Sequence, residues 1–192
     1  SWGEWALPNP ANHLHVFPPY TFVAAMWSAS TDVTYEEASQ LVLDAKLDAV
    51  SSCPGWKWQL EGHARRVHFL KTVDPFVDVY GSGRHGLTNY KGAVQNTKDA
   101  IRPYKYHFSC ENVREKGYIT EKLWEPLIFE TLCFYDGAPD ATDIIEPGAF
   151  VPVDASDVEG TLAIMHKAIK EDWWSQRLPA IRRMKYKVLN EL

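Results

Sequence analysis

The 192 residues are 45% hydrophobic and 23% charged, the balance of a soluble globular protein with ample material for a core. A formal net charge of −5 argues against a general nucleic-acid or anionic-membrane surface, although one local basic pocket is compatible with it. The apolar runs are far too short for a membrane-spanning helix, and no signal peptide is visible.

In chain order, residues 1–19 are rich in Pro, Asn and aromatics and read as an irregular segment. The content of 20–27 (YTFVAAMW) predicts a strand. Over 34–45 (TYEEASQLVLDA) a helix is expected, with Thr34 as cap and Glu37 three residues on. A rhythm then sets in. Strands are expected at 47–52, 76–81, 104–110, 131–137 and 149–154. Helices alternate with them at 57–73, 90–101, 118–130, 141–146 and 158–172, and one or two more close the chain. Gly62 weakens the helix at 57–73, and Pro126 limits or kinks the one at 118–130. This alternation predicts an α/β fold, a doubly wound, mostly parallel sheet with helices on both faces. Ligands of such sheets bind outside the carboxyl ends of the strands. Three places are thereby singled out: Cys53-Pro54-Gly55, the Gly-rich GSGRHG (81–86), and the turn after 104–110.

Eight Trp is a high count, read as core and interface residues ahead of sugar-stacking surface. Cys53, Cys110 and Cys133 form no CxxC and no metal-ligand spacing; an odd, sparse set suits a reducing compartment or buried free thiols. His13, His15, His63 and His68 show no metal spacing either. The first residue is Ser rather than Met, as in an excised or processed piece.

The turn CENVREKGYITEKLW (110–124) carries the chemistry. Gly117 permits close approach of backbone to ligand. A helix expected to begin near Tyr118 directs free N–H groups and the positive end of its dipole at the turn, which favours an anion. Lys122 adds a point charge suited to phosphate, and at i,i+4 it would share a face with Tyr118. Glu121 is suited to accept from sugar hydroxyls. The bland alternative is that Glu121 and Lys122 decorate a solvated helix face. No GxxxxGK[ST] and no GxGxxG after a strand is present.

ENVREKGYITEKLW (111–124) resembles the signature block of the α1,3-fucosyltransferase family. Four further stretches resemble family blocks in the same order: MWSASTDVTYE (26–36), KLDAVSSC (46–53), ARRVHFLKTVDPFVDVYGSG (64–83) and EPGAFVPVD (146–154). The resemblance implies two Rossmann-like domains facing a cleft, with inverting transfer of fucose from GDP-fucose to a glycan hydroxyl and no metal. Residues 46–192 look like the nucleotide-sugar donor-binding domain, and 1–45 like a residual edge of the N-terminal, acceptor-side domain. The implied partners are donor, glycan acceptor and the rest of that N-terminal domain, with no nucleic acid; oligomeric state is not assigned. The implied location is the lumenal side of the Golgi membrane in a eukaryote, or the cytoplasm in a bacterium.

Position by position, Asn112, Tyr118, Glu121 and Lys122 match the family's donor-binding residues. The phosphate-contacting Arg of the helix before VDVYG is matched by Arg66, with Arg65 its near rival. The family's general base is the Glu of an ESP motif. Here GEWALPN (3–9) keeps Pro8 but places Ala6 at the Glu position, so Glu4 is the candidate base. Cys110 replaces the family's Phe, and 125–144 departs from the family's pattern. Another nucleotide sugar, or a catalytically silent sugar-nucleotide-binding module, are the alternatives.

Overall fold

The computed structural model describes residues 35–39, 45–56, 59–83 and 85–191. Six strands form one sheet: β1 (Leu47–Ser52), β2 (Val77–Tyr80), β3 (Tyr90–Gly92), β4 (Tyr104–Cys110), β5 (Leu132–Asp136) and β6 (Phe150–Pro152). Seven described helices accompany them: α1 (Tyr35–Ser39), α2 (Glu61–Thr72), α3 (Lys98–Ile101), α4 (Glu121–Ile128), α5 (Ala141–Ile144), α6 (Val158–Lys170) and α7 (Trp173–Asn190). The strand order is β3-β2-β1-β4-β5-β6 and every pairing is parallel. From β1 the chain first builds outward one way, then returns past β1 and builds the other way. Right-handed crossovers therefore place helices on opposite faces, giving the doubly wound, Rossmann-like arrangement.

Covered on both faces, the central strands carry continuous rather than alternating apolar runs. All five residues of β5 are buried, Phe134 among them, and the core also gathers Phe69, Phe108, Leu123, Leu127, Ile128 and Met165. Trp124 lies in that core, and Trp173 and Trp174 pack against it. All three cysteines are free thiols. No helix of the described residues is long and apolar enough to cross a membrane.

Two expectations are corrected. The helix expected at 90–101 is instead the edge strand β3 followed by one short turn, α3. Tyr90 and Gly92 register with β2 and keep that segment extended. The helix expected from 118 begins only at Glu121, because the Thr120 hydroxyl accepts from the Lys122 backbone N–H and caps it. Tyr118 is therefore not on the same helix face as Lys122. Of the one or two helices expected to close the chain, the structure forms one, of 18 residues with Pro179 inside it. The strand expected at 20–27 and most of the helix at 34–45 lie outside the described residues.

Gly62 is explained by packing. A Cβ there would sit 1.9 Å from the Glu111 carbonyl oxygen and 2.7 Å from that of Asn112, both rigid backbone atoms. The Gly62 N–H donates to the Asn112 carbonyl at 3.1 Å. Helix α2 thus begins in direct backbone contact with the end of β4. Gly62→Ala, a helix-favouring change elsewhere, is expected to destabilise by about 1–3 kcal/mol or more through overpacking. A denaturation midpoint equal to or above the wild type would contradict this.

Candidate functional site

A cavity of about 600 Å³ opens where the strand order reverses, between the carboxyl ends of β1 and β4. The loop Cys53-Pro54-Gly55 bounds it on one side, and Ser109, Cys110 and Asn112 on the other. His63 and Arg66 enter from α2; Glu121, Lys122 and Glu125 enter from α4. Two of the three loops singled out by the strand rule thus meet in one cavity. None of the described residues of 81–86 lines it. That loop follows β2, one strand removed from the reversal, and Gly81 (φ 119°) turns it toward β3, donating to the Gly92 carbonyl at 3.1 Å.

Arg66 spans the crevice. Its Nε and Nη2 donate to the Gly55 carbonyl at 3.0 and 2.7 Å, while Nη1 donates to the Asn112 Oδ1 at 3.0 Å and reaches the Cys110 carbonyl at 3.4 Å. One guanidinium therefore ties the loop after β1 to the turn after β4 and lays a positive charge along the cavity wall. Burial lowers its pKa, but an arginine remains a cation at any ordinary pH. Asn112 is oriented by this contact and also bonds the Tyr118 phenol, whose pKa is raised by burial and by the nearby Glu111 carboxylate.

Lys122 stands in the first turn of α4, and the local sequence fixes it there. Thr120 caps the helix, and Leu123, Trp124, Leu127 and Ile128 bury its apolar face. Pro126 has no N–H to give the Lys122 carbonyl four residues back; the Cys133 thiol faces that oxygen instead, at 3.8 Å. The Lys122 ammonium lies 3.0 Å from Glu121, 3.3 Å from Glu111 and 3.2 Å from the Thr120 hydroxyl. Burial alone would lower its pKa, but the Glu111 and Glu121 carboxylates together raise it.

Glu111 does not line the cavity; it lies beneath Lys122 with a fully buried side chain. It accepts from the Thr120 N–H (2.9 Å), the Thr120 hydroxyl (2.8 Å) and the Tyr135 phenol (3.2 Å). Burial lifts its pKa above the usual carboxylate range, against the opposing pull of Lys122 and Thr120. His107 is buried in the cavity floor, with Nδ1 2.8 Å from the Ser51 hydroxyl, and burial depresses its pKa to about 3.

Arg65 goes elsewhere. Adjacent helical residues point about 100° apart, so Arg65 turns away from the cavity to Asp136 at the end of β5, with Nε to Oδ2 at 2.9 Å. Its i,i+4 partner Glu61 is at 3.0 Å. Arg114 approaches the same carboxylate at 2.6 Å and also pairs with Asp154. Asp154 is held well below its ordinary pKa by Arg114, with help from Ser156.

The structure therefore brings Arg66, Asn112, Glu121 and Lys122 onto one cavity, with Tyr118 behind Asn112. Arg65 is removed from that set by its ion pair with Asp136, and Glu4 lies outside the described residues. Glu111 and Asp136 were not singled out from the sequence. Glu111 carried a signal, since it adjoins Asn112 in the signature block. Asp136 carried none beyond the departure of 125–144 from the family's pattern.

A doubly wound sheet with a cavity at its reversal point, lined by Arg66, Lys122, Glu121 and Glu125, has the arrangement in which α/β domains bind their ligands. The family model described as Glycosyltransferase family 10 (fucosyltransferase) C-term matches residues 49–173, and the chain belongs to that family. An alpha-(1,3)-fucosyltransferase FucT of Helicobacter pylori is 32% identical over 84 residues, which is 44% of this chain and 17% of the relative. Among solved structures, a crystal structure of an alpha1,3-fucosyltransferase superimposes with a TM-score of 0.55 at 18% identity, covering 75% of this chain and 46% of the other. A second, of an alpha1,3-fucosyltransferase with GDP, gives 0.51 at 17% identity, covering 75% and 48%. The chain thus spans about half the length of those structures, and their likeness establishes the fold.

Proposed function

We propose that this domain binds the nucleotide-sugar donor of an inverting glycosyltransferase that transfers fucose from GDP-fucose to a glycan hydroxyl. The observation that carries the reading is the placement of Lys122 and Arg66 on one cavity at the sheet's reversal point. Membership of the fucosyltransferase family supports the sugar and the nucleotide. In this reading Lys122 and the start of α4 face the diphosphate and stabilise the negative charge that grows on the departing GDP, so that no divalent ion is needed. Glu121 accepts from ribose or fucose hydroxyls. Asn112, held by Arg66, sets the wall between them. Inversion needs a carboxylate on the acceptor side to take the hydroxyl proton as it attacks the anomeric carbon; Glu4 is the proposed base.

A second reading, a different nucleotide sugar, is favoured by Cys110 and Asp136, which change the chemistry under the turn. Calorimetry with GDP-fucose, GDP-mannose and UDP-sugars separates the two. Selective binding of GDP-fucose is expected. Binding of UDP-sugars without GDP-fucose would overturn the main reading. Transfer or donor hydrolysis by the wild type, lost in Glu4→Gln, would exclude a silent binding module and support Glu4.

A further inference from the structure

The charges around the cavity do not look like those of a plain anion site. Two cations, Arg66 and Lys122, stand beside Glu121 and Glu125 on the walls, with Glu111 immediately below. Arg66 is committed to carbonyls and to Asn112, which leaves Lys122 to meet a diphosphate. Yet Lys122 already faces two carboxylates. An ammonium that swings to a phosphate must leave them. Glu121 is 31% exposed and stays hydrated when this happens; Glu111 is at 0% and does not. An ionised carboxylate left without a cation in a dry site is strongly disfavoured and takes a proton instead.

We propose that Glu111 is a positioning residue, the resident counter-ion that holds Lys122 at the cavity in the empty site, and that a nucleotide-sugar diphosphate takes the ammonium from it while the Glu111 carboxylate takes up one proton from solvent. The inference rests on the donor-site reading above. The groups facing Glu111 are Lys122 and Glu121 of α4, Thr120 and Tyr118 of the turn, Tyr135 and Cys133 of β5, and Arg66 of α2. Of these, Lys122 is the cation closest to it and the one with a side chain able to move. The Thr120 and Tyr135 hydrogen bonds to Glu111 survive protonation of one oxygen, so the turn keeps its shape. The sign follows from the linkage. Binding raises the Glu111 pKa from a value already above the ordinary range, so protons are taken up in the window between the empty-site and bound-site values. Donor affinity falls as pH rises through that window.

The test is calorimetric titration of the chain with GDP-fucose, whose diphosphate carries no titrating terminal phosphate, in buffers of low and high ionisation enthalpy. The wild type is expected to take up a proton, with Kd rising by up to tenfold per pH unit through the window. Glu111→Gln is expected to bind GDP-fucose without uptake, with a flat pH profile and a lower Kd than wild type at the alkaline end. Lys122→Gln must also lose the uptake, since Glu111 then has no ammonium to surrender; this variant serves if Glu111→Gln fails to fold. Equal proton uptake in wild type and variants, or none in a wild type that binds, overturns the proposal while leaving the donor site intact. Absence of GDP-fucose binding in the folded wild type overturns the donor-site reading and this proposal with it.

Discussion

Asp136→Ala is expected to lower the folding free energy by about 3–5 kcal/mol, the cost of removing one partner from a buried ion pair. Its side chain is fully buried at the carboxyl end of β5 and takes Arg65, Arg114 and the Ala155 N–H at once. Those three groups come from α2, from the turn after β4 and from the loop after β6. Truncation strands the Arg65 guanidinium, itself only 6% exposed, with the solvated Glu61 as its one remaining carboxylate partner among the described residues. It also releases Arg114 from its more buried partner, leaving the exposed Asp154, a contact worth little. Chemical denaturation measures the effect, and a loss below about 1 kcal/mol would refute the buried-pair account. Asp136→Asn keeps the shape and removes the charge, so an intermediate loss is expected from the same measurement.

The same cluster shows where the sequence stopped being legible. The order of strands and helices followed from periodicity and turn residues, because each element either alternates or buries a continuous face. Failures fell where tertiary contact decides: 90–92 is strand only because it registers with β2. Arg66 is the better match to the family's Arg and Arg65 its near rival, since both sit before a matching VDVYG strand. The 100° step along α2 separates them in space, sending Arg66 to the cavity and Arg65 to Asp136. Cys110 and the stretch 125–144 read as two separate departures from the family, and Asp136 of that stretch stands beside Cys110 in the fold. They lie within 3.7 Å of each other, with Arg65 at 3.9 Å from the same sulfur. The cluster adjoins the cavity, which Cys110 itself lines.

Glu111 teaches a related lesson about the signature block. The letters of that block read as a row of ligand contacts, but the fold divides them into two layers. Asn112, Glu121 and Lys122 face the cavity, while Glu111 and Thr120 face inward and hold them. An expected helix start at Tyr118 hid this division. Moving the start to Glu121 frees Thr120 to cap the helix and bond Glu111 together, which is what places Lys122 over the buried carboxylate.

Lys122→Ala is accordingly expected to weaken GDP binding by tenfold or more. A charge-assisted contact to phosphate is worth roughly 1.5–3 kcal/mol, and each 1.4 kcal/mol is about tenfold in Kd. The loss should be larger at low salt than at high salt, because the ammonium is 23% exposed and partly screened. Some destabilisation is also expected, since Glu111 loses its buried partner, so affinity must be measured on protein shown to be folded by its melting transition. Two comparisons keep the result specific. Lys122→Arg retains the charge on a longer, forked group and should recover part of the affinity. Arg65→Ala removes a cation of the neighbouring cluster and should cost stability through Asp136 while affecting GDP binding far less. Unchanged GDP affinity in folded Lys122→Ala would remove the diphosphate from the start of α4. An Arg65 effect as large as the Lys122 effect would show that the binding loss reports general loosening of the turn rather than a lost phosphate contact.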